Sequence, residues 1–428
     1  MNCQSFHYLA DDCLNLIDSF PFITIFCVII RRVRFIREEG SYLAAQKKHL
    51  YFVDNLKIAL IMLVVAHHAG QAYGPGGWWY FQEGESVEWL GRFFAVNAAF
   101  FMSLFFFLSA YFLPQSIERK GKKRFLKERL RRIGIPLLLG FLIMIPVLMY
   151  LYYVNFRPYG SISFFQYYGQ VFFGLANEPA GWTGPSWPDM QFGHLWFLEH
   201  LLVYAIVLTI WTYFFPWKEK GGSPASLKGR HVAIFAAVVT AVTFIVRIWY
   251  PIDTWSGFLG FIQTEYAHLP QYVSFFVMGI LAYRRNWLET FPAKIGYWWL
   301  AVGVAIAEIL YFGGNAVYPF LLKGGANFGS FARSGLETLL CISLTIGLLT
   351  LFREKLNKSS QVTKNLAANI FVVYFIHVPV VVFLQYSVTG LPVPVVGKFL
   401  ITAILGIILS FLVSQYVWRK IPYLKTMM

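Results

Sequence analysis

The chain has 428 residues, of which 57% are hydrophobic and 13% are charged, and its formal net charge at pH 7 is +15. Soluble domains carry about 25% charged residues, so this composition excludes an ordinary soluble protein and indicates one that crosses a membrane several times. The positive charge does not require a nucleic acid as a partner, because multi-pass proteins collect lysine and arginine in their cytoplasmic loops.

Apolar stretches of about 20 residues recur along the chain, and each is long enough to cross about 30 Å of hydrocarbon. Backbone inside a bilayer must satisfy its own hydrogen bonds, so these runs predict an all-α polytopic membrane helical bundle. We predict ten transmembrane helices, at residues 51–70, 89–113, 133–155, 195–216, 231–251, 267–283, 295–313, 334–352, 367–388 and 397–417. The shorter apolar stretch at 20–30 is predicted to be interfacial or re-entrant.

The charges of the loops predict the direction in which these helices run. If the N-terminus is cytoplasmic, the loops on that side hold most of the lysine and arginine residues and the opposite loops hold few. The positive-inside rule then places the N-terminus and the C-terminus in the cytoplasm, and we expect a multi-pass protein of the plasma membrane. We divide the chain into a cytoplasmic or interfacial segment at 1–48, an integral membrane domain at 49–420 and a tail at 421–428.

Two of the outward loops are long and aromatic. Residues 70–89 and 157–194 are rich in glycine, proline, tryptophan and tyrosine and almost free of basic residues. Aromatic residues near the ends of spans can simply form the interfacial belt. Loops of this kind can also cover a site, so a part in binding the substrate is an equal alternative.

The first predicted helix carries ionisable residues on one face. Lys57 and His68 are eleven residues apart, so they share a face and lie about 16 Å apart along the helix axis. Asp54 precedes Lys57 by one turn and is close enough to pair with it. His67 points about 100° away from His68, so the two rings are poorly placed to share a metal ion, and no metal site is predicted.

Imidazole can take and return a proton near neutral pH, which makes His68 a candidate general base. The structural alternative is that His68 only bonds a backbone carbonyl or an interfacial water. Other ionisable residues fall toward the outer halves of the predicted helices, which favours a polar cavity open to the outside, although some of them will be structural ion pairs. They are Arg92, His194, Glu199, Arg247, Glu265, His268, Glu308 and Glu337.

The cytoplasmic entry of the third helix is strongly basic. Within "RFLKERLRRIGIPLL", Arg129 and Arg132 are one turn apart, and an arginine pair suits a polyphosphate ligand through bidentate hydrogen bonds. The alternative is that these charges only set the topology, which is sufficient for most of the basic residues in this loop.

These patterns together resemble the acyltransferase 3 family of integral membrane acyltransferases. The family's D-x-L-R…H pattern in its first helix is similar to Asp54, Leu56 and Lys57 followed by the histidine pair, with lysine in place of the usual arginine. Its R-x-x-R pattern ahead of the third helix is matched by Arg129 and Arg132.

Two further motifs are similar to the family. "GHLWFL" holds His194 and Trp196 ahead of a span, and "YFIHVP" holds His377 late in the chain. Glu199 arrives earlier than the glutamate that some members carry beyond the first motif. The resemblance covers most of residues 50–420, and it adds Trp196 and His377 to the candidates for the cavity, which also include Asp54.

The resemblance implies transfer of an acyl group, commonly acetyl or succinyl, from acyl-coenzyme A to a hydroxyl of a surface glycan, a lipid or a small molecule. It implies no resident cofactor. Lys57, Arg129 and Arg132 would meet the phosphates of the donor. His68 would deprotonate the acceptor; family members vary between the positions of His67 and His68, and the phase of the helix favours His68.

A membrane O-acyltransferase is therefore the function that the sequence predicts. The alternative is a multi-pass transporter or flippase without acyl chemistry, in which charges inside the membrane mark a substrate path. Against it, the sequence shows no repeated halves and no pair of corresponding broken helices.

Overall fold

The apolar stretches of the sequence form helices that pack against one another along most of the chain. The computed structural model describes residues 49–76, 78–216, 227–258 and 262–421. The segment 1–48, with the interfacial piece predicted at 20–30, lies outside the described residues, as do 422–428 of the predicted tail.

Ten long helices follow one another in the described part of the chain. They are α1 Tyr51–Gly70, α2 Glu88–Tyr111, α3 Lys122–Phe156, α4 Trp196–Phe214, α5 Gly229–Trp249, α6 Leu269–Arg285, α7 Ala293–Phe312, α8 Phe328–Lys355, α9 Gln361–Val388 and α10 Val395–Tyr416.

Each of the ten predicted spans falls on one of these helices. Nine helices of the described residues are long and apolar enough to cross a membrane. The tenth, α6, has 17 residues, which lies at the short end of the range for a span. The all-α polytopic bundle is thus confirmed, and the cytoplasmic position of both termini stays a prediction.

Shorter elements connect the long helices. The loop from α3 to α4 contains the short helix Phe164–Gln166 and a π turn, and ends in a 3₁₀ turn that leads directly into α4. The short helical elements are Leu113–Lys120, Phe164–Gln166, Tyr167–Phe172, Gly193–Leu195, Trp287–Thr290, Gly314–Val317, Tyr318–Phe320 and Trp418–Lys420.

A small β-hairpin lies between α5 and α6, where the sequence analysis expected only a loop. Strand β1 (Trp255–Phe258) pairs antiparallel with β2 (Ile262–Glu265), so that Trp255 lies opposite Glu265. The segment between two helices is free to pair with itself outside the hydrocarbon, and a period of two over four residues is too short to predict a strand.

Helix α3 is irregular where the sequence places proline. Two π turns, Leu130–Gly134 and Gly140–Met144, flank the α-helical stretch Ile135–Leu139, which contains Pro136. Proline lacks the N–H group of the helix ladder and its ring crowds the preceding turn, and wider turns accommodate this. The first π turn holds part of the basic sequence discussed above.

The interior of the bundle forms around α1 and α2. Helix α1 packs against α2, α8, α9 and α10, and α2 also packs against α6. The phenylalanine-rich second half of α2 is buried, and inside it the amide of Gln271 donates to the hydroxyl of Ser103 over 2.9 Å. Helices α5 and α7 expose most of their apolar side chains, as expected for a surface in contact with lipid.

Candidate active site

The end of α1 brings His68 against His377 of α9. The Nδ1 atom of His68 lies 3.1 Å from Nε2 of His377 and 2.9 Å from the carbonyl oxygen of Val64. His377 is fully buried, and its own Nδ1 lies 2.6 Å from the carbonyl oxygen of Tyr374. Each histidine is therefore held by a carbonyl one turn earlier in its helix, and the two rings face each other.

These contacts fix the positions of the protons in the neutral rings. A carbonyl oxygen can only accept, so Nδ1 of His377 carries its proton and Nε2 of His377 accepts. Nδ1 of His68 faces two acceptors, which are that Nε2 and the carbonyl of Val64, and so it also carries its proton. The Nε2 atom of His68 keeps a free lone pair and makes no hydrogen bond within the described part of the chain, which is the form a general base requires.

The loop after α1 folds back over His68. Trp79 lies flat on the imidazole, with ring centroids 5.5 Å apart and an interplanar angle of 28°. Its Nε1–H donates to Oε1 of Gln385 over 2.7 Å, and the amide nitrogen of Gln385 donates to the carbonyl of Ala69 over 3.1 Å. The indole is thus held in place by a buried amide of α9, and it covers one side of the half-buried His68 ring.

A third histidine joins this pair from the 3₁₀ turn before α4. The rings of His194 and His377 are 5.3 Å apart, and Nε2 of His194 lies 3.1 Å from the carbonyl oxygen of Phe375. The hydroxyl of Tyr374 donates to the carbonyl of His194. His68, His377 and His194, here called the histidine cluster, come from three separate motifs and lie in a row.

His67 is directed elsewhere. Its ring lies among Phe93, Phe94 and Phe101, with centroid distances between 5.0 and 6.3 Å, and it is buried. The amide nitrogen of Gln71 lies 3.1 Å from its Nε2. His67 therefore packs between α1 and α2, and the phase argument that separated the two rings agrees with this geometry.

Lys57 lies about three turns before His68 along α1. Its ammonium group sits 5.0 Å from the centre of the Phe112 ring. The charge of Arg129 acts on Lys57, and the charge of Arg132 acts on Arg129. The three residues predicted to bind the donor therefore lie near enough for their charges to interact, at the other end of α1 from His68, with Asp54 and Glu128 close by; the three are here called the cationic cluster.

The charge of Asp54 acts on Lys57 as predicted, but the two side chains form no close ion pair. Asp54 instead makes an ion pair with His49, whose Nε2 lies 2.6 Å from its carboxylate. His49 lies just before the first turn of α1 and reaches back to the carboxylate, while Lys57 turns toward the end of α2. Asp54 belongs to the same end of the bundle as the cationic cluster and not to the cavity around the histidines.

Two other residues predicted for the cavity also lie apart from the histidine cluster. Arg92 donates to the carbonyl of Tyr311, at the end of α7, over 3.2 Å. Trp196 stacks on Tyr272 of α6 with centroids 5.3 Å apart. Arg92 joins α2 to α7 and Trp196 joins α4 to α6, and neither bonds a histidine of the cluster within the described residues. A position toward the same end of the bundle therefore does not place these side chains in the same site.

Glu199 occupies the face of α4 that packs against α3. Leu195, one turn before it, lies against Gly140, and Leu202, almost one turn after it, lies against Gly134. Both carboxyl oxygens of Glu199 are buried and have no hydrogen-bond partner among the described residues. Glu199 therefore lies beside the irregular part of α3 and makes no bond to the histidine cluster.

A second polar group holds most of the other buried charges. Arg247, which is 0% exposed, donates to Glu337 over 2.6 Å, and Arg333 donates to the other oxygen of the same carboxylate over 2.9 Å. His268 lies 3.6 Å from Glu337 and 2.7 Å from Glu265. This charge network ties α5, α8, the hairpin and the start of α6 together, so the single outward cavity predicted from sequence is in fact two separate groups.

The ligand sets that hold metal ions in proteins have no counterpart among the side chains of the described residues. No group of three or more histidine, cysteine, aspartate or glutamate side chains is placed there to hold one. In the histidine cluster, carbonyl oxygens face Nδ1 of His68, Nδ1 of His377 and Nε2 of His194.

Sequence reasoning missed Trp79 and Gln385. Gln385 follows His377 by eight residues in the same apolar helix, and a polar amide inside a span is a signal that it bonds something. Trp79 was noticed only as part of an aromatic loop. Its neighbour Gln385 is 306 residues away in sequence, so no local pattern could have joined them.

Comparisons with known proteins identify a family for this chain. A family model described as an acyltransferase domain matches residues 50–419. The chain is similar to curated proteins named "Glucans biosynthesis protein C" from Salmonella heidelberg, Salmonella agona and Salmonella dublin. Each is 27% identical over 402 residues, which cover 88% of this chain and 93% of the relative.

Proposed function

We propose that this chain, which belongs to the acyltransferase 3 family of membrane enzymes, moves an acyl group from acyl-coenzyme A to a hydroxyl of a glucose-containing glycan. The chain is a multi-pass membrane acyltransferase. The proposal concerns the donor, the acceptor and the residues that carry the reaction.

The observation that carries the proposal is the free lone pair on Nε2 of His68. Two acceptors hold the proton on Nδ1, so the nitrogen directed away from them is the basic one. A base that is held in one tautomer loses no free energy in selecting it at the moment of reaction, and proton transfer of this kind contributes about 10²–10⁴-fold in rate.

The proposed step removes the proton from the acceptor hydroxyl. As the oxygen attacks the thioester carbonyl, Nε2 of His68 takes the hydroxyl proton, a carbon–oxygen bond forms and the carbon–sulfur bond breaks. The proton then passes to the departing thiolate, which leaves as the free thiol of coenzyme A. The products are an ester and the thiol, and His68 returns to its starting form.

His377 serves as a positioning residue. When His68 becomes positively charged, its Nδ1–H points at the unprotonated Nε2 of His377 over 3.1 Å, so part of the charge is shared with a second imidazole. No carboxylate bonds either ring within the described residues, which distinguishes this arrangement from a triad that uses aspartate.

The donor is proposed to bind at the cationic cluster. Lys57, Arg129 and Arg132 lie at the other end of α1, where their combined charge suits the phosphates of a nucleotide donor. The acyl group is proposed to be acetyl or succinyl. The cationic cluster would face the cytoplasm of a cell whose plasma membrane holds the protein, and the histidine cluster would face the outer half.

The glucose-containing acceptor is proposed from the relatives, whose name assigns them to the biosynthesis of glucans. A lipid or a small molecule is the alternative acceptor left by the sequence. The family model describes an acyltransferase domain, and an acyltransferase changes its substrate chemically, whereas a transporter releases it unchanged. Family membership therefore favours acyl transfer over the transporter alternative.

The test uses purified protein in liposomes, supplied with acetyl- or succinyl-coenzyme A and a set of glucose pentasaccharides of different linkage. We expect wild-type protein to add the mass of one acyl group to a pentasaccharide as an alkali-labile ester. His68→Ala should lower the rate by about 10²–10⁴-fold. The matched control is His67→Ala, which removes the neighbouring ring and should keep most of the rate.

Mass spectrometry of the sugar separates the outcomes. Ester formation that His68→Ala leaves intact would contradict the proposed base. Loss of ester with His67→Ala alone would transfer the role to His67. If no pentasaccharide gains an acyl group, a lipid extract of the same liposomes shows whether the acceptor is a lipid instead, which would overturn the choice of glycan.

A further inference from the structure

Five planar side chains form a continuous stack on the end of the bundle where α1 and α3 finish. Trp78 lies on Tyr152 with centroids 5.2 Å apart and an angle of 28°. The guanidinium carbon of Arg157 lies 5.1 Å from the ring of Tyr152 and 4.7 Å from that of Trp182. Trp182 in turn stacks on Tyr159 at 5.3 Å and 25°. These five residues are called the aromatic stack.

Hydrogen bonds hold the outer part of the stack in place. The hydroxyl of Tyr159 donates to the carbonyl of Gly181 over 2.8 Å and accepts from the backbone N–H of Thr183 over 2.9 Å. The indole N–H of Trp182 donates to the carbonyl of Ser186 over 2.8 Å. The rings are therefore ordered before any ligand arrives, which lowers the entropic cost of binding.

Arg157 has more donors than the protein satisfies. One of its nitrogens donates to Thr183, but Nε and Nη2 are buried and have no partner among the described residues. A buried donor without a partner is destabilising, and more so if it is charged. An interfacial belt of aromatic residues would not need such a cation, whereas a ligand that brings oxygen atoms would satisfy it.

Electrostatics argue that this ligand is neutral. Asp189, which is 2% exposed, is near enough for its charge to interact with Arg157. Burial raises the pKa of Asp189 to about 6, and in its ionised form this carboxyl offsets the positive charge of Arg157. A phosphate or a carboxylate would gain little here, while hydroxyl groups can accept from the free guanidinium nitrogens.

The stack is joined directly to the candidate base. Trp78 is 41% exposed and starts the stack, while the adjacent Trp79 is 6% exposed and covers His68. Tyr80 contacts both indoles, with centroids 6.0 Å from Trp78 and 5.0 Å from Trp79. A chain-like ligand lying on the stack would therefore lead toward the proposed base.

We propose that the aromatic stack is a carbohydrate subsite that holds a glucose unit of the acceptor next to the unit being acylated. The apolar C–H face of a pyranose ring suits the exposed indole face of Trp78 at the end of the stack, and its ring and hydroxyl oxygens suit the donors of Arg157 that have no partner among the described residues. This inference rests on the proposed function and identifies where that acceptor is recognised.

The experiment measures binding without turnover. Full-length His68→Ala protein in nanodiscs is titrated by calorimetry with glucose pentasaccharides of β-1,2, β-1,3, β-1,4 and α-1,4 linkage. One of them is expected to bind, and adding Trp78→Ala should weaken its affinity about tenfold. Arg157→Gln should weaken it as well, and Trp78→Tyr, which keeps a ring, should restore most of it.

Trp249→Ala is the matched control, because this exposed tryptophan ends α5 and lies outside the stack. It should leave affinity unchanged, and thermal unfolding of each variant identifies any that fails to fold. Equal affinity with Trp78→Ala and with the control would overturn the subsite. Failure of every pentasaccharide to bind, while wild-type protein still acylates one, would overturn the subsite and leave the proposed function standing.

Discussion

The histidine cluster and the charge network are two polar groups buried in one bundle, and they are built in opposite ways. In the charge network, each carboxyl oxygen of Glu337 accepts a hydrogen bond from an arginine, and three nitrogens of Arg247 donate hydrogen bonds to neighbouring groups. In the histidine cluster, neutral rings bond backbone carbonyls, and Nε2 of His68 is left with a free lone pair.

This difference separates structure from chemistry. A buried charge that is fully bonded holds helices together and has nothing left to offer a substrate. A neutral ring with one free nitrogen contributes less to stability, yet it can take a proton. Ionisable residues in predicted spans therefore indicate function only when their partners leave an atom available, and sequence does not reveal the partners.

The largest effect on stability is expected when the charge network loses its anion. Glu337→Gln leaves Arg247 and Arg333 facing a neutral amide, and breaking a buried ion pair in this way costs about 3–5 kcal/mol. Unfolding of the purified protein in detergent measures the loss. The double variant Arg247→Met/Glu337→Met should lose less than the sum of the two single variants, and simple additivity would show that the network is not coupled.

Asp189 combines features of the charge network and of the histidine cluster. It accepts hydrogen bonds from Tyr167 and Gln191 but makes no direct ion pair within the described residues. Its pKa of about 6 in the folded protein exceeds the ordinary value of 3.8, so the folded state binds a proton more strongly than the unfolded state. The free energy of unfolding should then fall as pH rises from about 4 to about 6, by about 2–3 kcal/mol.

Thermal unfolding of wild-type protein and of Asp189→Asn across this pH range tests the sign. Asparagine keeps the shape and cannot titrate, so the stability of the wild type relative to the variant should decrease as the pH is raised. Parallel pH profiles would show that the burial of this carboxyl has no consequence for stability.

A smaller effect, on activity, is expected at His377. Replacing it with phenylalanine keeps a planar ring but removes the acceptor that helps to hold the proton on Nδ1 of His68, so the barrier to catalysis should rise by about 1–3 kcal/mol, which lowers kcat roughly 5- to 150-fold. The KM for the donor should change little. A loss confined to KM, or a matching loss of stability, would make His377 part of the packing alone.

The sequence was sufficient for the helices and insufficient for their partners. Apolar length predicted α1 and α9, and helical phase separated His68 from His67 correctly. The contact between His68 and His377 joins residues 309 positions apart, and it depends on how two helices pack. Asp54 was assigned to Lys57 because only neighbours along the helix were considered, and His49 at the start of the helix took the carboxylate.

The hairpin and the π turns show the same limit in the backbone. Proline in a helix indicates a local irregularity, but the sequence does not show that wider turns accommodate Pro136 or that Leu195 and Leu202 lie against Gly140 and Gly134 beside it. The sequence motifs located the segments that form the candidate site. Which of their polar atoms remain without a hydrogen-bond partner depends on how α3, α4 and α9 pack.

Helix α1 also sets the distance between the proposed donor site and the proposed base. Lys57 and His68 lie on one rigid element, so about 16 Å of helical rise separates the two ends of the proposed reaction. A donor anchored by phosphates at Lys57 must carry its acyl carbon across that gap, which selects for a long flexible arm and rejects short acyl phosphates. Removing one turn of α1 would shorten the gap by about 5 Å and shift the length of donor that fits.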